Sequence, residues 1–123
     1  MKVAISSSGT TLQSNVDPRF GRCPYYIIYD TETDNFEHAE NKSSQAMGGA
    51  GIQTGQLIEK YGAKAVITGN VGPNAFRVLS SASIKVYSGV SGKVNDAIKK
   101  LKEGKLTETS APDVGSHFGM GQK

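Results

Sequence analysis

From Ala50 onward the chain alternates helix-spaced apolar residues with short apolar runs, and this rhythm narrows the possible folds more than any other feature. Ala50, Thr54, Leu57, Ile58 and Tyr61 share one helical face, and Gly62 follows as a stop. Ala65-Val66-Ile67 then reads as a buried strand. Pro73 opens a second helix with an inner face of Ala75, Val78, Leu79 and Ala82. Ile84 to Tyr87 is a further strand, and Val94, Ala97, Ile98 and Leu101 mark a last helix ended by Gly104. Strands separated by helices pair in parallel, because each crossover returns the chain to the same end of the sheet.

The first half has another rhythm. Val3-Ala4-Ile5 reads as a buried strand, and Tyr25 to Tyr29 is aromatic and β-branched. A polar turn at residues 31–35 leads to a weakly alternating return strand, Phe36 to Glu40. That hairpin is antiparallel, so the expected fold class is α/β, a mixed five-stranded sheet with three helices. Residues 7–24 carry neither period, and a loop of that length in a compact domain is commonly functional. At 123 residues the chain fits one domain. We expect that domain to span 1–109, with a flexible Gly-rich tail at 110–123.

Several function classes lose support here. A net charge of +3 is too mild for a nucleic-acid binder. No apolar run approaches the length of a membrane span or a signal-peptide core, and one cysteine excludes an internal disulfide, so a cytoplasmic protein is expected. No nucleophile elbow occurs, and Cys23, His38 and His117 lack the spacing of a zinc site. We therefore expect no catalytic residues and no enzyme activity.

What the chain does carry is glycine loops beside cations. Residues 48–55, GGAGIQTG, open the first helix, where unpaired amides favour an anion. The spacing departs from the dinucleotide fingerprint, and the Walker lysine is absent. A second loop, GNVGPNAF at 69–76, joins a strand to the next helix, and Ser7-Ser8-Gly9 ends the first strand. In open α/β sheets ligands gather outside the carboxyl ends of the strands. The candidate binding residues are thus Ser8, Gly9, Arg19, Arg22, Cys23, Gly48, Gly49, Gly51, Gly72 and Asn74, lining an electropositive hollow. Cys23 is expected as a thiol at its rim, with its pKa lowered by the flanking arginines. Cys23 and His117 are the candidate metal ligands. A packed turn cysteine is the competing reading.

Arg19-Phe-Gly-Arg-Cys-Pro-Tyr-Tyr26, Gly48-Gly-Ala-Gly-Ile52 and Gly72-Pro-Asn-Ala-Phe76, in this order and spacing, resemble the dinitrogenase iron–molybdenum cofactor biosynthesis family. The likeness runs from Met1 to about Glu108. It implies a ribonuclease H-like fold with strand order 3-2-1-4-5. It also implies non-enzymatic binding, carrying or delivery of a molybdenum- or iron-containing metal–sulfide cluster or its precursor, with a cofactor-assembly protein as partner. A nuclease of that fold needs a carboxylate on its first strand, and Val3 to Ser7 has none. The alternative from the residues alone is a regulatory module binding phosphate or nucleotide metabolites. Neither reading fixes the oligomeric state.

Overall fold

A computed structural model describes residues 1–42 and 50–112. Five strands, β1 (Lys2–Ser7), β2 (Tyr25–Asp30), β3 (Phe36–Glu40), β4 (Ala63–Ile67) and β5 (Lys85–Tyr87), form one sheet in the order β3-β2-β1-β4-β5. β1 pairs antiparallel with β2 and parallel with β4, so the antiparallel and parallel halves meet along β1. The helices are α1 (Ala50–Lys60), α2 (Pro73–Ser81) and α3 (Val94–Lys102). The mixed sheet and three helices agree with the sequence reading. β1 and β4 extend beyond the apolar runs that announced them, because Ser6, Ser7 and Ala63 are also buried.

The alternation along β1 explains the layers. Ala4 faces a core with Tyr26, Ile28, Ile58, Val66 and Leu79, on the side of α1 and α2. Val3 and Ile5 face the other core, with Ile27, Ile67, Val94, Ala97 and Ile98, beneath α3. A strand buried on both faces must be apolar at successive positions, and the continuous run Val3-Ala4-Ile5 meets that demand. Each fully buried aliphatic side chain contributes about 1.5–3 kcal/mol relative to exposure.

α2 starts at Pro73, whose missing N–H costs nothing in a first turn, after an extended Gly72. α3 ends on Lys99, Lys100 and Lys102, cations that suit the negative end of a helix dipole. Lys102 also donates to Asp34 and Tyr29, tying that helix end to the β2–β3 turn. Beyond α3 the chain returns along β5, where the Thr109 N–H donates to Val86 O at 2.7 Å. Among the described residues, no helix is long and apolar enough to cross a membrane.

The segment between β1 and β2 is an anchored structure with two limbs. Its first limb lies on the α3 side: Val16 N–H donates to Gly92 O at 2.7 Å, and Val94 N–H to Ser14 O at 2.9 Å. Leu12 and Val16 join that core, while Phe20 and Cys23 join the opposite one. Residues 17–19 thus cross over the end of the sheet, at the tips of β1 and β4. Periodicity could not report this, because the limbs are held by single long-range bonds.

Candidate functional site

The crossing brings two sequence-predicted loops together. Asn70 N–H donates to Pro18 O at 2.7 Å, and Phe20 N–H donates to Asn70 O at 3.2 Å. This isolated parallel bridge places Arg19 beside the loop that runs from β4 into α2. Gly69 makes the approach possible, since a Cβ there would lie 2.5 Å from Pro18 Cα. Thr54 of α1 reaches Asn41, which follows the end of β3 that lies in line with Tyr25 and Ser7, so the first turn of α1, which contains Gly51, lies at the same end of the sheet. Gly48, Gly49 and His117 lie outside the described residues.

Arg19 and Arg22 sit on one tight turn. Arg19 O accepts from Arg22 N–H at 3.1 Å and Cys23 N–H at 3.0 Å. Gly21 has φ 92°, a left-handed conformation that suits glycine. Both arginines are exposed. Arg19 is bound side-on by Asp17: the backbone N–H, Nε and Nη2 reach its carboxylate at 2.9, 3.2 and 3.3 Å. The same carboxylate raises the Arg19 pKa above its ordinary value, chiefly through the side-chain hydrogen bond, so the guanidinium stays charged. Asn74 is exposed, with its Oδ1 accepting from Arg77 Nη2 at 3.0 Å. Arg77 therefore adds a cation next to Asn74 that the sequence reading passed over.

The expected rim thiol is corrected by the structure. Cys23 is fully buried in the core with Phe20 and Tyr26. Burial pushes its pKa from 9.0 up to about 11, outweighing a hydrogen bond with Tyr26 that acts the other way. Adjacent positive charge acts on a thiolate only when solvent or a partner can also reach it, and here desolvation wins. Direct metal ligation by Cys23 would require this turn to open. Ser8 and Gly9 need a second adjustment. They lie at the tip of β1 but belong to the α3-side limb, where Ser8 N–H donates to Asn15 O at 3.0 Å. Gly9 closes on Ser7 Oγ at 3.2 Å through its N–H.

A buried polar latch lies beneath the arginine turn. Asn41 Nδ2 donates to Gly21 O at 3.1 Å and Cys23 O at 2.8 Å. Thr54 of α1 reaches Asn41 Oδ1 at 3.5 Å, and Gly21 N–H donates to the Tyr26 hydroxyl at 2.8 Å. Asp17 and Asn41 were missed from sequence, and Asn70 was read only as part of its strand-end loop. Only Asp17 had a local signal there, as an Asx residue before Pro18 at the start of a turn.

The buried thiol gives a direct test. Because the thiolate is the reactive form, a pKa near 11 in place of 9.0 lowers the thiolate fraction at pH 8 about a hundredfold. Alkylation by iodoacetamide is therefore expected to be at least a hundredfold slower in the native protein than in the urea-unfolded chain. A native rate near the unfolded one would show an accessible thiol. The folded state holds this proton more tightly, so its stabilising share is complete below pH 9 and is lost as pH rises toward 11.

The geometry defines a class: a single-sheet α/β domain whose strand-tip loops are sewn together beneath exposed guanidinium groups. Among the described residues, no three His, Cys, Asp or Glu side chains group to hold a metal ion. The profile of the dinitrogenase iron-molybdenum cofactor family matches residues 1–104, and the chain belongs to that family. The orange protein of Desulfovibrio gigas, solved in its apo form, is 36% identical with a TM-score of 0.89, covering 92% of this chain and 96% of that one. A Thermotoga protein bearing the NifB label, solved by NMR, is 44% identical with a TM-score of 0.77, covering 87% and 91%. An uncharacterized protein of Methanocaldococcus jannaschii is 33% identical over 110 residues, 86% of this chain and 93% of that protein.

Proposed function

We propose that the strand-tip end binds a molybdenum- or iron-containing metal–sulfide cluster, or a thiometallate precursor, as an anion. The observation that carries this reading is the bridge between Arg19 and Asn70, which joins the arginine turn to the β4–α2 loop. The guanidinium donors of Arg19 and Arg22 and the amide of Asn74 suit an anion that brings its own sulfide ligands. Charge-assisted hydrogen bonds of this kind contribute about 1.5–3 kcal/mol each. The family name supports the choice of cluster, and the apo form of the orange protein implies that this relative also has a ligand-bound form.

On this reading the protein is a cytoplasmic carrier of the ribonuclease H-like type and not an enzyme, and a cofactor-assembly protein receives its cargo. His117 is retained as a ligand from the tail. The chain is tied down at Thr109 beside the tip of β5, and Ser88 N–H donates to Thr109 Oγ1 at 2.9 Å. The five residues that follow Pro112, ending at His117, span at most about 18 Å.

The test is anaerobic titration with tetrathiomolybdate, followed by gel filtration at the absorption of the bound anion. We expect a coloured complex whose dissociation constant rises at least tenfold in Arg19→Ala/Arg22→Ala, matching the loss of about 1.4 kcal/mol or more. Elution of the colour apart from the protein would end the cluster reading. Stronger thermal stabilisation by pyrophosphate or a nucleotide than by the thiometallate would replace it with a phosphate-binding module.

A further inference from the structure

We infer that Asp17 is the positioning residue of this site, holding Arg19 so that one defined edge of its guanidinium faces the ligand. The inference rests on the anion-binding reading given above for the same site. Asp17 is only 6% exposed and is fixed on every side that matters. Its N–H donates to Ser6 O at 2.8 Å, and its carbonyl accepts from Ser6 Oγ at 2.6 Å. Ser6 Oγ in turn lies 2.7 Å from Thr68 Oγ1, so the tips of β1 and β4 jointly hold the carboxylate's backbone.

That carboxylate grips Arg19 along one side. Nε–H and one Nη2–H are consumed at 3.2 and 3.3 Å. A guanidinium has five N–H groups in a planar fork. Three remain, and two of them, one on Nη1 and one on Nη2, point in parallel from the end of the fork. Arg19 is 62% exposed, so this end is presented to solvent. A freely rotating arginine would offer the same charge without a fixed plane. Pre-ordering the fork removes the entropy a ligand would otherwise lose in ordering it. Asp17 thereby trades half of the local charge for direction.

Charge and positioning predict opposite signs for one substitution. Asp17→Asn adds a positive charge to the site, so simple attraction makes it bind an anion more tightly. It keeps Oδ1 as acceptor for the Arg19 backbone N–H, and so preserves the turn, but loses the charged two-point grip. We expect tetrathiomolybdate affinity to fall about tenfold in Asp17→Asn. Arg19→Ala and the Asp17→Asn/Arg19→Ala double variant should bind alike within twofold, because Asp17 acts through Arg19. Unchanged or tighter binding by Asp17→Asn overturns the inference, as does a further loss in the Arg19→Ala background.

A second measurement needs neither ligand nor variant. In ¹⁵N spectra of the wild-type protein, the Arg19 Nε–H should give a sharp signal protected from exchange, and a signal exchanging as fast as that of free arginine overturns the inference. If the wild-type protein binds no thiometallate while this signal is protected, the ligand reading fails and the positioning stands.

Discussion

A Gly69→Ala protein is expected to unfold about 10 °C below the wild type and to lose most of its anion affinity. The methyl group would lie 2.5 Å from Pro18 Cα, 3.0 Å from Pro18 Cβ and 3.1 Å from Pro18 O. The nearest of these is backbone, so no rotamer change relieves the clash. The backbone has little room to retreat, since Asn70 is bonded to Pro18 and Phe20 on one side of the loop. On the other, Gly69 O accepts from Gly89 N–H at 2.7 Å. Overpacking of this kind costs about 1–3 kcal/mol. In a domain of this size each kcal/mol moves the midpoint by about 4 °C. Gly62→Ala is the control: its φ of 80° disfavours a side chain, yet a Cβ there meets nothing within 4 Å. It should lose only about 1 kcal/mol and leave binding intact. Equal midpoints for the two variants, measured by circular dichroism, would mean that the loops do not touch.

The contrast between these glycines marks what was readable in the sequence. Strands and helices came from local spacing: the aromatic and β-branched run at Tyr25–Tyr29 and the Val94, Ala97, Ile98 face both formed as expected. The antiparallel and parallel halves also followed, because a short turn and a helical crossover leave different traces. The strand order was carried by family likeness. The site was legible in outline, since loops after β1 and β4 must emerge at one end of a sheet that pairs them in parallel. Its construction was not. Asn70 and Asn41 are lone polar residues whose partners lie far along the chain, and no periodicity announces such bonds. Cys23 misled for a related reason. Sequence adjacency to Arg22 suggested a shared environment, but the turn at Gly21 sends the arginine outward and the thiol inward.

The latch under that turn carries the second large effect. Asn41→Ala is expected to destabilise the fold by about 3 kcal/mol and to weaken thiometallate binding, although residue 41 is 3% exposed and offers nothing to a ligand. Its Nδ2 is shared between Gly21 O and Cys23 O, and both residues are buried. Each buried acceptor left without a donor costs about 1–3 kcal/mol. Removing the amide also frees Thr54 Oγ1 from its contact at 3.5 Å, and with it one link between α1 and the arginine turn. Asn41→Asp separates packing from donation. It matches the shape of asparagine, yet turns two donor contacts into repulsion between a carboxylate and two carbonyls, so it should destabilise at least as much as alanine. Urea unfolding provides the measurement, with the midpoint falling while the slope stays constant. The Arg19→Ala variant provides the complement: it should bind anions poorly at nearly wild-type stability, because Arg19 is 62% exposed. A stable Asn41→Asp protein that binds normally would show that the arginine turn holds its shape without the latch. The site would then owe its geometry to Asp17 and Asn70 alone.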